Sequence, residues 1–253
     1  MLNKAYVRFR ESLPDSANTF AAADGFSTLG IPVVPFYGFD DINVVNMPDV
    51  GPDTIFCGFL GDVWKALELM GRPKPMPVDY PDHLHWMMGR DFSFVTLEHV
   101  RGLVTRKFVK PVQQKLFSGF VYDPMIPRCR FKVANYDNDT LCFIADEIEF
   151  VSEYRCFVCR DELVGVKHYT GDPFVSLDKK TLDKALACCK GKMPAAFALD
   201  LGVSSTGETL LVEVTDGYAL GGYGLPSVTY ARFLEARWEQ LVSHKVNHFY
   251  RSW

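Results

Sequence analysis

The chain has 253 residues, of which 48% are hydrophobic and 23% are charged, and its formal net charge is −4 at pH 7. This is ordinary globular composition, sufficient for one large domain or two small ones. An acidic chain lacks the basic surface that phosphate-backbone binding usually requires, so no nucleic-acid partner is expected. The sequence contains no run of 18 apolar residues, so no membrane span is expected either.

The cysteines and the N-terminus indicate the compartment. The seven cysteines are an odd number and lie mostly in apolar runs, so we expect free, buried thiols in a reducing environment. Residues 1–16 lack the apolar core of a signal peptide. The sequence therefore predicts a cytoplasmic protein.

The first 72 residues alternate between predicted strands and helices. Strands are expected at 4–9, 31–36 and 54–59, and helices at 16–29 and 61–70. This alternation predicts a small parallel sheet. Four prolines within 71–82 then interrupt regular structure, because proline cannot donate a backbone hydrogen bond. We therefore predict a small α/β domain over residues 1–76 and a second unit over residues 77–253.

The second unit opens with a predicted helix at 94–105 and a short strand at 107–111. Further elements follow in chain order: strands at 141–144, 154–158 and 162–169, a helix at 177–190, strands at 195–203 and 209–214, and a closing helix at 230–250. The turn-like residues 204–208 predict that the last two strands form a hairpin.

Two acids interrupt the apolar strands of this hairpin. Asp200 lies in AAFALDLGV and Glu213 lies in LLVEV, so both are expected to be largely buried. An unpaired buried ion costs several kcal/mol, so a positive partner is required. Asp216 follows at the strand end, and converging carboxylate oxygens suit Mg²⁺. The alternative is that lysine or arginine side chains satisfy the acids, and the two interpretations stay open.

Three basic residues lie on neighbouring predicted strands. Lys110 ends the strand KFVKP, Arg155 begins the strand YRCFV, and Lys167 lies near the end of the strand that follows. Such side chains can hold phosphate or carboxylate oxygens. The alternatives are a solvated lysine on an edge strand and cross-strand pairing of Arg155 and Lys167 with Glu153 or Glu162.

The order of these motifs resembles the ATP-grasp superfamily, and more narrowly its phage- and conflict-associated clade named for two arginines and a lysine. The resemblance extends over roughly residues 95–230 and is carried by FVKPVQQKLFSG (108–119), IEFVSEYRCFVCRDELVGVKHYTGD (148–172) and DLGVSSTGETLLVEVTDGYALGGYGL (200–225). It implies an α/β protein in which a two-lobed α+β ATP-grasp unit follows the small N-terminal α/β domain.

The resemblance also implies roles for individual residues. Lys110 and Lys115 would contact the ATP phosphates, and Arg155 and Lys167 would be the catalytic residues that face the transferred phosphoryl group. The interlobe hinge would bind adenine through its backbone, with Glu147 as the ribose contact. The hinge comprises Ile144, Ala145, Asp146, Glu147 and Ile148.

The metal site departs from the family pattern. Asp200 and Glu213 match the metal ligands, but Thr215 replaces the usual asparagine. A threonine oxygen coordinates weakly, and Asp216 is the expected substitute ligand. The glycine-rich phosphate loop after Lys110 is also replaced, by QQKLFSG.

The predicted function is ATP-dependent carboxylate–amine ligation through an acyl phosphate. ATP and Mg²⁺ are the implied cofactors, and the partner is a small-molecule, amino-acid or peptide substrate. One alternative is an ATP-grasp kinase that phosphorylates its substrate and stops. The other is a nucleotide-binding module without turnover, which the threonine at position 215 and the missing glycine loop favour.

Overall fold

The protein contains three four-stranded sheets within residues 2–39 and 50–243, which are the residues that the computed structural model describes. None of the helices in this part of the chain combines the length and apolar character needed to cross a bilayer. Of the closing helix predicted over 230–250, residues 244–250 lie outside the described residues.

The N-terminal sheet confirms the predicted parallel arrangement. Its central strand pairs in parallel with two others and antiparallel with a short fourth. Ser16 caps the first helix by accepting a hydrogen bond from the Thr19 amide. The elements are β1 (Lys4–Arg10), β2 (Leu13–Pro14), α1 (Ala17–Thr28), β3 (Val33–Phe36), β4 (Thr54–Cys57) and α2 (Leu60–Leu69).

The second sheet is antiparallel, in the order β5-β8-β6-β7. A 3-10 helix at Asp82–Met87 precedes it. Its elements are β5 (Phe92–Thr96), α3 (Leu97–Arg101), β6 (Lys107–Pro111), β7 (Phe120–Tyr122), α4 (Pro127–Val133) and β8 (Leu141–Ala145).

The helix predicted over residues 94–105 is wrong in its first part. Phe92–Thr96 is a strand paired with β8, and the helix is confined to Leu97–Arg101. Alternate residues of β5 pack into different clusters: Phe92 and Phe94 into one, and Val95 into the other. Side chains that alternate between two faces in this way are typical of a strand and not of a helix.

The third sheet is antiparallel, in the order β10-β9-β11-β12, and confirms the predicted hairpin with its turn at 204–208. The tight turn between β9 and β10 has positive φ at both Arg160 and Asp161, as a type I′ turn requires. The elements are β9 (Phe150–Cys159), β10 (Glu162–Gly171), α5 (Lys179–Cys189), β11 (Ala196–Ser204), β12 (Thr209–Asp216) and α6 (Ser227–Val242).

The long C-terminal helix joins the first and third sheets in one core. On α6, Trp238 lies 6.1 Å from the ring of Phe56 in β4, and Phe233 lies 5.5 Å from Phe157 in β9. Strands β4 and β9 therefore both pack against α6. The division into domains at residue 76 stays a prediction.

Gly25 allows α1 to pack closely against α6. A Cβ atom at this position would lie 2.1 Å from the Ser227 carbonyl oxygen and 2.8 Å from the Ala231 Cβ. We expect Gly25→Ala to lower the free energy of unfolding by about 1–3 kcal/mol, since overpacking outweighs the gain in helix propensity. Gly61→Ala on α2 is the control, because a Cβ atom there would have no atom of the described residues within 4 Å. Urea unfolding of both variants measures the difference, and equal stability would contradict the close-packing explanation.

Candidate functional site

A cavity of about 950 Å³ lies between the three sheets, and we refer to it as the central cavity. Its walls come from the starts of α1 and α2, the end of β6 with the loop after it, β9, and β12 with the glycine-rich segment 217–224. Lys110, Arg155 and Glu213 all line it. Distant parts of the sequence therefore contribute charged side chains to one space.

Lys110 bridges two carboxylates on the cavity wall. Its Nζ lies 2.6 Å from Glu213 Oε2 and 2.9 Å from Asp79 Oδ2. Phe108 and Lys110 point to the same side of β6, while Val109 packs into the opposite core. Burial lowers the pKa of Lys110, but the two carboxylates outweigh burial, and the pKa is raised. The ammonium is therefore charged at neutral pH.

Arg155 holds Asp200 in a buried bidentate pair. The Nε–Oδ1 distance is 2.7 Å and the Nη2–Oδ2 distance is 2.5 Å, and Asp200 is only 2% exposed. Burial raises the pKa of Asp200, and the hydrogen bonds from Arg155 offset this only in part. The ring of Tyr223, from the glycine-rich segment, lies 4.8 Å from the guanidinium carbon. Arg155 is thus fixed between a carboxylate and an aromatic ring.

Four charged residues form one row across the third sheet. Lys167 is the register partner of Arg155, Arg155 is the partner of Asp200, and Asp200 is the partner of Glu213. Directly opposed residues in antiparallel strands point to the same face. The cross-strand row thus places two bases beside two acids, and two of its members, Arg155 and Glu213, line the cavity.

Asp216, at the end of β12, does not belong to the cross-strand row and is paired with helix α6 instead. Both of its carboxylate oxygens accept hydrogen bonds from Arg237 on α6, at 2.5 and 2.7 Å, and both residues are 3% exposed.

Thr215 lines the central cavity. Within residues 2–39 and 50–243, no group of three or more His, Cys, Asp or Glu side chains is arranged to hold a metal. The predicted metal ligands, Asp200, Glu213, Thr215 and Asp216, stay predictions.

The loop after β6 also faces the cavity. Lys115 lines the cavity and has a positive φ of 63°, which is uncommon outside glycine. Gln114 accepts a 3.4 Å hydrogen bond from the Tyr218 hydroxyl, which links this loop to the segment after β12. The predicted phosphate-contacting residues Lys110 and Lys115 therefore lie on the same cavity.

The predicted hinge, Ile144–Ile148, connects the second sheet to the third. Two of its side chains make ion pairs with residues at or just before the start of β6: Asp146 with Lys107, and Glu147 with Arg106 at 2.8 Å. In the described chain, this hinge does not line the central cavity. Its roles in adenine and ribose binding stay predictions.

Sequence reasoning missed three residues near Lys110. Asp79 and Tyr80 come from the proline-rich stretch, where no periodicity marks them as part of a site. Arg90 lies with its guanidinium 5.7 Å from the Phe108 ring centroid, and its buried Nε has no hydrogen-bond partner among the described residues. Burial lowers the pKa of Arg90. A half-buried arginine of this kind is a candidate for binding an anion.

Comparison with solved structures identifies proteins of the same fold. An L-amino acid ligase from Bacillus licheniformis superposes with a TM-score of 0.58 at 14% identity, covering 94% of this chain and 75% of that one. A D-alanine–D-alanine ligase from Bacillus anthracis complexed with ATP gives 0.54 at 13% identity, with 93% and 95% covered. D-cycloserine synthetase gives 0.57 at 14% identity, with 94% and 99% covered. These similarities show a shared α/β fold, which confirms the predicted fold class.

Comparison of sequences identifies the family. No curated protein sequence matches the chain. The model of an ATP-grasp domain family, the second family of the clade named for two arginines and a lysine, matches residues 87–233. This match spans more than half of the chain and is close to the extent that the motifs predict. The chain therefore belongs to the ATP-grasp superfamily, in that clade.

Proposed function

We propose that the protein is an ATP-dependent ligase that joins a carboxylate to an amine through an acyl phosphate. The observation that carries this proposal is the cross-strand row, which brings Arg155 and Glu213 to the central cavity that Lys110 also lines, with Asp200 as the register partner of both row members. The fold neighbours support it, since an L-amino acid ligase and a D-alanine–D-alanine ligase share this architecture.

The two bases suit the demands of phosphoryl transfer. Catalysis of this reaction depends mainly on positioning and on neutralising the charge of the transferred group. Lys110 comes from the second sheet and Arg155 from the third, so they can contact the phosphates from two sides of the cavity. Lys115 also lines the cavity, and Lys167 is the cross-strand partner of Arg155. In our proposal Arg155 and Lys167 face the reacting phosphoryl group, and Lys110 and Lys115 hold the nucleotide.

The acids fit Mg²⁺. Within the cluster formed by Asp79, Lys110, Arg155, Asp200 and Glu213, three carboxylates face two bases, so one negative charge is left over. Carboxylate oxygens are hard ligands, and Mg²⁺ commonly takes only one or two from the protein when substrate phosphates supply the rest. Asp200, Glu213 and the Thr215 hydroxyl would hold the ion, which would add electrostatic stabilisation to the phosphates. Asp216 would become a further metal ligand only if its ion pair with Arg237 were broken.

Each predicted phosphate-binding base is paired with a predicted metal-binding acid. Lys110 contacts Glu213, and Arg155 contacts Asp200. On binding Mg-ATP, Lys110 and Arg155 would exchange carboxylate oxygens for phosphate oxygens, which leaves the acids to the metal. Asp200 and Glu213 would then have the metal as their partner, whereas Asp79 would lose its contact with Lys110. The preformed pairs can keep the site stable before the nucleotide binds.

The bond changes balance without a nucleophile from the protein. A substrate carboxylate oxygen attacks the γ-phosphorus and ADP leaves; an amine nitrogen then attacks the acyl carbon, phosphate leaves, and the amine loses a proton. The buried cysteines are unsuited to nucleophilic attack, because burial raises the pKa of Cys156 to about 12 and that of Cys142 to about 11. All seven cysteines are free, in keeping with the cytoplasmic location that we propose.

The proposal is tested by screening pairs of carboxylates and amines, including amino acids and short peptides, with Mg-ATP. Phosphate release that requires both substrates, with an amide product of matching stoichiometry in the mass spectrum, is the expected result. A phosphorylated product that accumulates whether or not an amine is present would instead indicate a kinase. Nucleotide binding without turnover across the screen would indicate a binding module.

Lys110→Ala should impair nucleotide binding more than folding. The side chain is 21% exposed, so water can reach Asp79 and Glu213 once the ammonium is gone. We expect the Kd for Mg-ATP to rise at least about tenfold, the effect of losing ~1.4 kcal/mol of binding free energy. Calorimetric titration and thermal melts measure the two effects, with the exposed Lys65→Ala as control. A large drop in melting temperature at unchanged Kd would make Lys110 structural.

A further inference from the structure

The residues that fill the cleft beside Lys110 come from the proline-rich stretch 71–82. We propose that Asp79 and Tyr80 occupy the nucleotide site of the free protein, and that ATP binds only after displacing them. This inference rests on the proposed function, since it assumes that Lys110 holds nucleotide phosphates. We refer to Asp79 and Tyr80 together as the resident pair.

Asp79 takes the position expected for a phosphate. Its Oδ2 lies 2.9 Å from Lys110 Nζ, and the same ammonium contacts Glu213 at 2.6 Å. A carboxylate resembles a phosphate in being an anion with hydrogen-bond-accepting oxygens, so it satisfies the same donor. The Asp79 carbonyl also accepts a 2.8 Å hydrogen bond from the Val214 amide, next to Glu213. Asp79 is therefore held between the predicted phosphate lysine and the predicted metal strand.

Tyr80 takes the position expected for a flat aromatic base. Its ring stacks on Phe143 of β8 with a centroid distance of 4.1 Å and an interplanar angle of 15°, and the residue is 4% exposed. Lys110 Nζ lies 5.4 Å from the ring centroid. Phe143 lies just before the predicted adenine hinge. A purine stacked on Phe143 would need the space that the Tyr80 ring fills.

The outline of the central cavity agrees with this occupancy. Asp79, Lys110 and Glu213 line the cavity, whereas in the described chain Phe143 and the hinge 144–148 do not. The phosphate half of the expected site is thus open, and the half that would receive the base is closed. The resident pair lies at the boundary between the two halves.

The stretch that carries the resident pair has little regular structure to keep it in place. Residues 71–81 form neither a helix nor a strand, and they include Pro73, Pro75, Pro77 and Pro81. Prolines cannot contribute backbone donors. The stretch can therefore leave the cleft without breaking a sheet or a helix. It gives up the Lys110 ion pair, the Val214 hydrogen bond, the 3.0 Å hydrogen bond between His85 and the Tyr80 carbonyl, and the packing of Tyr80 and Val78 in the core that contains Phe143.

The resident pair and the nucleotide compete for one site, and this competition weakens the apparent affinity for the nucleotide. The apparent Kd equals the intrinsic Kd divided by the fraction of molecules whose site is open. A substitution that weakens the resident pair without changing the nucleotide contacts should therefore tighten binding. A substitution in a true nucleotide ligand should weaken it. A fall in the Kd therefore identifies a residue that competes with the nucleotide, and a rise identifies a residue that binds it.

Asp79→Asn is the decisive variant, because it keeps the size of the side chain and removes the charge that faces Lys110. We expect about tenfold tighter binding of a non-hydrolysable ATP analogue with Mg²⁺. Asp82→Asn is the matched control, since Asp82 lies in the same stretch, its side chain is 60% exposed, and its ion-pair contact is with His85 at 3.8 Å. Its affinity should equal that of the wild type. Titration calorimetry measures both.

Hydrogen exchange provides a second readout on the wild-type protein. Peptides covering residues 76–84 should exchange faster when the analogue and Mg²⁺ are present, because the pair has left the cleft. Weaker binding by Asp79→Asn, or slower exchange of these peptides, would make Asp79 and Tyr80 part of the nucleotide site and overturn the inference. Unchanged affinity and exchange in a protein that binds the analogue would overturn it too, and leave the proposed function intact. Failure of both wild type and variant to bind would reject both proposals.

Discussion

Arg237→Ala is expected to lower the free energy of unfolding by about 3–5 kcal/mol, because removing one partner of a buried ion pair leaves the other charge without compensation. Arg237 donates to both oxygens of Asp216, at 2.5 and 2.7 Å, and its Nη1 also donates to Gln240 at 2.7 Å. Asp216 ends β12, the strand of Glu213, so the loss should loosen the third sheet where it meets α6. Urea unfolding monitored by circular dichroism gives the value.

Arg160→Ala is the control for this prediction. Arg160 makes an ion pair of similar length, 2.8 Å, with Glu239 on the same helix as Arg237, but the side chains are 66% and 46% exposed. Exposed pairs contribute about 0–1 kcal/mol, so this variant should be nearly as stable as wild type. Comparable, small losses in the two variants would contradict the assignment of Asp216 and Arg237 as a stabilising pair.

Glu213→Gln should abolish the stabilisation that Mg-ATP gives while leaving the free protein nearly as stable as wild type. Glu213 shares Lys110 with Asp79, so Lys110 keeps one carboxylate partner after the substitution. A ligand present at 100 times its Kd stabilises the native state by about 2.7 kcal/mol, and this increment should disappear. Turnover should fall by roughly 10²–10³-fold, the effect of losing one electrostatic contact to the transition state.

Thermal melts with and without Mg-ATP, together with a phosphate-release assay, measure these effects. Glu208→Gln is the matched control: it lies in the turn of the same hairpin, is exposed, and accepts a 2.9 Å hydrogen bond from Thr206. It should retain the nucleotide-dependent shift. A Glu213→Gln protein that melts far lower without ligand, yet is stabilised normally by Mg-ATP, would make Glu213 a structural partner of Lys110.

The sequence predicted the third sheet well because its signals are local. The apolar strands around Asp200 and Glu213 and the turn between them lie within a single stretch of chain, and the structure pairs these two residues directly. The failure at residues 94–96 is also local in origin, since a short segment such as Phe-Ser-Phe-Val-Thr (92–96) suits a strand or a helix. Pairing with β8, which lies almost 50 residues later, decides the outcome.

The partners of the charged residues were not predictable in the same way. Arg155 and Asp200 are 45 residues apart, and Lys110 and Glu213 are 103 apart. Each acid was expected to need a positive partner, but the choice between a metal and a base depends on which strands become neighbours. The sequence did not decide between a metal and a base. The structure places Arg155 beside Asp200 and Lys110 beside Glu213, which are the two acids that the family pattern assigns to metal.

The resident pair and the Asp216–Arg237 pair were missed for a related reason. Asp79 lies in a stretch without periodicity, and its importance arises only from the proximity of Lys110. Arg237 lies within a helix whose apolar residues dominate the pattern, so its guanidinium would be expected in solvent. Arg237 and Asp216 become buried, each to 3% exposure, because α6 packs against the end of β12.

The shared core of the two ends of the chain bears on how the protein is made. The ring of Phe56, in β4, packs against Trp238, and Gly25 accommodates the Ser227 carbonyl. During synthesis the first 72 residues leave the ribosome long before the residues that cover them. Their apolar face therefore stays exposed until α6 emerges, which favours capture by chaperones over early, independent folding. The order of translation thus makes the synthesis of α6 the step that covers this face.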